Sequence, residues 1–223
     1  MSERNGDVEG LDRLLEWSEA LGLAIIDQLD ADGYEVYDDS ARIAASHAKC
    51  SLSLEHSQGL RMLIGKGLPT SGVSLMRLQH EALTRAVWLF YAASDEAVTT
   101  FVTPLTPATE NEASKLPMLT AMLAAIVGKA PPAAMQMPRQ FEDVHASALN
   151  SVVHGGIHPV KRLAEGYPVP LLMQVVRNSN GLLTGTGMLL AILSGKAAVA
   201  QQMAAIQPAF ADCLPQLLTA PAG

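Results

Sequence analysis

Residues 74–94 read SLMRLQHEALTRAVWLFYAAS, and this stretch decides the fold class. At ~100° per residue, Leu75, Ala82, Leu83, Ala86 and Phe90 fall on one side of a helix. Arg77, Glu81, Thr84, Arg85 and Trp88 share the other. The period is that of a helix and not the two-residue alternation of a strand. The polar stripe is narrow, because Leu78, Val87, Leu89 and Tyr91 flank it. In open solvent its Arg–Glu pairs, four residues apart, would each add about 0.3–0.5 kcal/mol. A narrow stripe ending in tryptophan predicts instead a face turned across a cleft toward another helix.

Working outward, the same spacing recurs along the chain. Leu11, Leu14, Leu15, Leu21, Ile25 and Leu29 predict a first helix over about 10–30. Residues 30–39 are a linker, and Ser40 is an N-cap for a second helix that carries Ile43, His47, Cys50, Leu54 and Leu60 to Gly65. Pro69 opens the third helix, and Ser94-Asp95-Glu96 caps a short fourth with acids in its first turn. Residues 103–117 hold three prolines without apolar periodicity and predict a loop. A fifth helix is expected over about 118–129, and a sixth from near Pro138 to His154, where Gly155-Gly156 stops it. Residues 157–168 look irregular, and two last helices are expected over about 170–194 and 196–218. No strand or repeat is found. The expectation is an all-α bundle of about seven or eight helices, a single domain overall, with an acidic helix and linker over 1–39 and the bundle over 40–223.

Composition agrees with a packed protein. Of 223 residues 49% are apolar and 17% charged, which excludes a disordered chain. The net charge of −7 is unevenly placed: residues 1–39 hold twelve acids and two bases, so residues 40–223, with ten acids and thirteen bases, are slightly basic. The acidic segment reads as a solvated helix face. No long basic run is present, which argues against strong non-specific DNA binding. The acidic, polar N-terminus is unlike a secretory signal, and the longest apolar stretch, Gly181–Leu193, is too short to span a bilayer. The reading is a cytoplasmic protein without membrane contact.

The sixth helix, PRQFEDVHASALNSVVHGG from Pro138 to Gly156, carries a second polar face. Asp143, Ser147, Asn150 and His154 align, with Phe141, Ala148 and Val152 opposite and His145 on that far side as a core residue. His154 falls in the last turn, where the helix dipole favours positive charge. With Asn150 one turn back, it suits proton transfer or phosphate contact. His158, Lys161 and Arg162 follow and would add charge to the same place.

The run Leu149-Asn150-Ser151-Val152-Val153-His154 resembles the signature of the HEPN superfamily of small helical bundles, many of which are RNases in phage defence and toxin–antitoxin systems. That signature is an arginine, a polar residue that is often asparagine, three variable residues and a histidine. Asn150 and His154 match it, and Leu149 stands where the family has arginine. Over roughly residues 40–195 the chain is also similar to bacterial helical proteins that pair an Arg-x3-Glu-x3-Arg-x2-Trp helix with an Asn-x3-His-Gly-Gly segment. Arg77, Glu81, Arg85, Trp88, Asn150, His154 and Gly155 match that pattern.

Other chemistries find little support. Glu142-x-x-His145 has the spacing of a di-iron bundle pair, but there is no second such pair. A zinc site from His154, His158 and His80 or Glu81 would need ligands from separate segments. There is no Gly-x-Ser-x-Gly and no P-loop. Cys50 sits on an apolar face as an inert thiol.

The expectation is therefore a HEPN-like, homo-oligomeric protein, dimeric for choice, with no cofactor or metal. As the resemblance implies, it would be a metal-independent or degenerate RNase. Asn150, His154, Arg77, Glu81 and Arg85 would form the catalytic cleft, and His158, Arg162 and Trp88 would contact ligand. His154 would move a proton on the 2′-hydroxyl or leaving oxygen, and an arginine held by Glu81 would neutralise the phosphate. The alternative is a non-catalytic binding or scaffold protein whose Arg–Glu–His–Asn network is a structural brace, in which case Arg85→Ala should unfold it or lower its Tm by many degrees.

Overall fold

The computed structural model describes residues 2–31 and 33–216, with the backbone only for residues 2–5 and 144–146. Among these residues there are ten α-helices, one 3-10 turn and no strand. The helices are α1 (Ser2–Asp30), α2 (Ala41–Gly65), α3 (Pro69–Tyr91), α4 (Asp95–Val102), α5 (Pro107–Ala113), α6 (Leu119–Ile126), α7 (Pro132–Val153), α8 (Ile157–Glu165), α9 (Val169–Leu193) and α10 (Ala197–Ala209), followed by the turn Ala211–Cys213. The all-α class holds, but the count exceeds the seven or eight expected.

The extra helices come from the segments that lack apolar periodicity. In α5, Thr106 and Thr109 cap each other's backbone reciprocally and Pro107 starts the first turn, which orders a short helix that buries no side chain. In α8 the side chains at the bundle side include Arg162 and His158, while Ile157, Val160 and Leu163 face outward, which disguises the helix from a search for an inward apolar stripe. α7 begins six residues earlier than expected, with Pro132 in its first turn and Pro138 inside it. α10 stops at Ala209, just past Pro208, short of the expected end near residue 218. Residues 217 and 218 of the expected last helix lie outside the described residues.

Ser40 and Ser94 cap α2 and α4 as their sequence suggests, accepting from the N–H of Ile43 and Ala97. Gly155, at φ +66°, closes α7 in the left-handed conformation that favours glycine. The acidic helix α1 is part of the bundle: Leu14, Ser18, Leu21, Ile25 and Leu29 are buried, while Asp12, Glu16, Glu19, Asp27 and Asp30 face solvent. It packs against α9, α10 and α2.

α3 and α9 form the centre. α3 lies against α2, α6, α7 and α9, so both of its sides are covered. Leu83, Ala86 and Leu89 are buried on one side, and Arg77, His80, Thr84 and Trp88 on the other. A seam of small polar groups joins α2, α3 and α9. Gln79 donates to the Ser179 carbonyl (2.9 Å) and accepts from the Ser179 hydroxyl (2.6 Å), and Ser53 meets Thr186 at 2.7 Å. Such paired groups set the register of helices that are otherwise plain Leu and Ala. No described helix is long and apolar enough to cross a membrane.

Candidate functional site

The polar stripe of α3 meets α7 around Arg77, whose side chain is only 9% exposed. Every nitrogen of its guanidinium has a partner. Nε donates to Asn150 Oδ1 at 2.9 Å, and Nη1 donates to His80 Nδ1 at 3.1 Å. Nη2 pairs with Glu81 Oε1 at 3.2 Å, and Nη1 lies 3.5 Å from Glu142 Oε2. Glu81 also pairs through Oε2 with Arg85. Two cations, Arg77 and Arg85, thus face two anions, Glu81 and Glu142, which is how a protein holds a buried charge without large cost. Lys49 of α2, whose ammonium lies over the Phe101 ring at 5.1 Å from its centroid, feels the charges of this network. Burial, and then the Arg85 charge, push its ammonium below the ordinary lysine range, with Glu81 opposing.

His80 is completely buried and stacks on Phe141, with ring centroids 4.3 Å apart. Because Nδ1 accepts from Arg77, the ring proton sits on Nε2, which donates to the Pro138 carbonyl at 2.9 Å. Burial pushes its pKa down to about 4; the Pro138 carbonyl opposes this and the Arg77 charge reinforces it. His80 is therefore a neutral acceptor for Arg77 at pH 7. Burial by itself would raise the Glu81 carboxyl. Its hydrogen bond to Arg85 and the Arg85 and Arg77 charges outweigh that and hold it below the usual carboxylate range.

A pH dependence follows. The unfolded chain takes up a proton at His80 as pH falls through 6.5, and the folded chain resists until about pH 4. Stability should therefore decline on acidification across that window, by up to about 1.4 kcal/mol per pH unit and about 3 kcal/mol in all from this group. Urea denaturation between pH 6.5 and 5 should show the decline. His80→Gln should reduce the slope to what the partly buried His47 and His56 supply, since burial lowers both in the same direction.

The structure thus brings Arg77, Glu81, Arg85 and Asn150 together, and adds His80 and Glu142. It leaves His154, His158, Arg162 and Trp88 outside this network. His154 caps the C-terminal end of α7 with its ring in solvent. Asp143 and Ser147, which share the polar face of α7 with Asn150 and His154, are exposed; Phe141 is buried, as its place on the opposite face leads one to expect, and Glu142 and Leu149 also turn inward. Trp88 is 4% exposed and packs in the core, not on a ligand surface. His158 and Arg162, on α8, line a separate cavity with Tyr167. The side chain of His145, expected in the core, lies outside the described residues.

Two members of the network were not singled out as site residues by the sequence. One signal was present for Glu142: the α3 stripe carries two arginines and one glutamate, so a second carboxylate was owed by whatever helix covers it. His80 gave no signal for a place in the arginine network; it entered only as a possible zinc ligand, since a histidine among Leu and Ala otherwise reads as a filled core position. Among the described residues no group of three His, Cys, Asp or Glu side chains gathers as a metal site. Cys50 is fully buried, and burial pushes its thiol up, away from nucleophilic use.

No curated protein and no solved structure matches the chain. One family model matches residues 50–216, three quarters of the chain and every member of the Arg77 network. The chain belongs to that family, DUF6988, a family of unknown function.

Proposed function

We propose that the chain is a HEPN-like protein of the cytoplasm that acts by binding, without catalysis, and that the Arg–Glu–His–Asn network is its internal brace. The observation that carries this reading is the guanidinium of Arg77. It is buried and all three of its nitrogens are committed to side chains of the same chain. A phosphate would have to break those pairs to reach it. Arg85, the other arginine of the stripe, is committed to Glu81. A homodimer belongs to this reading, supported by the apolar side that α8 exposes through Ile157, Val160 and Leu163; sedimentation of the purified chain tests it.

A second reading is metal-independent RNA cleavage centred on His154, with RNA as partner. It is favoured by the accessible ring of His154 at the end of α7, one turn from Asn150. Incubation of total and structured RNA with the purified chain in excess chelator separates the two. The binding reading expects no cleavage, and expects His154→Ala to leave stability within about 0.5 kcal/mol. Cleavage by the wild type that is lost in a stable His154→Ala would sink it and establish the nuclease.

A further inference from the structure

Between α3, α7, α8 and α9 lies a cavity of about 200 Å³. Its walls are mostly apolar, built by Val73, Met76, Leu149, Val152, Leu171 and Val175, with the amides Gln174 and Asn178 among them. Arg162 and His158 also line it, and no aspartate or glutamate does. Arg162 has no ion-pair or side-chain hydrogen-bond partner among the described residues. Tyr167 stands at the same wall, with its hydroxyl buried and unpartnered.

The setting of α8 points the same way. An ordinary surface helix turns its apolar side inward. Here Ile157, Val160 and Leu163 are 66%, 64% and 82% exposed, while the basic Arg162 is partly buried at the cavity. Burying a cation beside an apolar chamber without a counter-charge is unfavourable, so the arrangement lacks an anion. A guanidinium matches a carboxylate through two parallel hydrogen bonds. An apolar cavity of ~150 Å³ holds a benzene ring, so this one has room for a ring or branched body with a short acid arm.

We infer that this cavity binds a small aromatic or branched-chain monocarboxylate, with its apolar body among Met76, Leu149 and Val175 and its carboxylate on Arg162. The inference rests on the binding reading above and names its ligand class. Titration of the full chain with 3-phenylpropionate and with 3-phenylpropanol, followed by calorimetry and by backbone NMR, tests it. The acid should bind at least about tenfold more tightly than the alcohol and should shift the amides of Leu149, Val152 and Val175. Arg162→Gln, which breaks no ion pair or side-chain hydrogen bond of the described residues, should bring the acid to the affinity of the alcohol. Ala148→Phe, at an exposed position of the cavity wall, should abolish binding of both. Equal affinities in the wild type, an acid affinity unchanged in Arg162→Gln, shifts confined to another part of the chain, or no binding of either probe would each overturn the inference. None of those results bears on the brace or on RNA cleavage, which the Arg77 and His154 variants read separately.

Discussion

Arg77→Ala should destabilise the chain by about 3–5 kcal/mol, the usual cost of removing one partner from a buried charge network. For a chain of this length that corresponds to a fall of roughly 6–20 °C in Tm. The loss arises less from the arginine than from what it leaves behind. Glu142 Oε2, Asn150 Oδ1 and His80 Nδ1 would lose their Arg77 partner, and Glu81 would keep only Arg85. Removing both sides should recover much of the loss, so Arg77→Met combined with Glu142→Leu should be markedly more stable than Arg77→Met alone. Arg85→Ala should cost less than about 1 kcal/mol, because its side chain is 29% exposed and Glu81 retains Arg77. This reverses the expectation drawn from the sequence, in which the loss of Arg85 from a brace would unfold the chain or lower its Tm by many degrees. Urea denaturation of these four variants measures the order, and an Arg77→Ala as stable as the wild type would remove the brace from consideration.

Phe141→Ala should cost about 3–5 kcal/mol as well, by a different route. Phe141 is 2% exposed and is among the largest fully buried side chains. Its ring lies nearly parallel to that of His80, at an interplanar angle of 22°. Truncation opens a cavity in the α3–α7 contact and lets water approach a histidine that burial holds neutral. The same variant should therefore raise the pKa of His80 from about 4 toward its ordinary value, which an NMR titration of the ring protons reads directly. A loss of stability without that rise would mean that the Phe141 ring does not shield His80.

Much of the bundle was legible because helix faces and helix ends are local properties. Ser40 and Ser94 accept from N–H groups three residues on, and Gly155 takes a left-handed turn whatever lies opposite. The α3 stripe was legible too, as was its fate of facing another helix. Less legible was α8, because a helix of nine residues is marginal alone and this one turns Arg162 to the bundle while its large apolar side chains face outward. Pro138 was misread as a helix start. Inside α7 its missing N–H is tolerated, and its carbonyl serves as acceptor for His80.

The sequence by itself determined the helical class, the two polar faces on α3 and α7 and the residues that cap the helices, since period and capping depend only on neighbours along the chain. Tertiary structure alone decided which polar residues became partners. The rotation of α7 against α3 brings Glu142 and Asn150 to Arg77 and leaves Asp143, Ser147 and His154 in water. A shift of a fraction of a turn about one helix axis changes which side chains meet without altering the pattern that made the helix. That shift separates a buried, fully paired arginine from one free to meet a substrate.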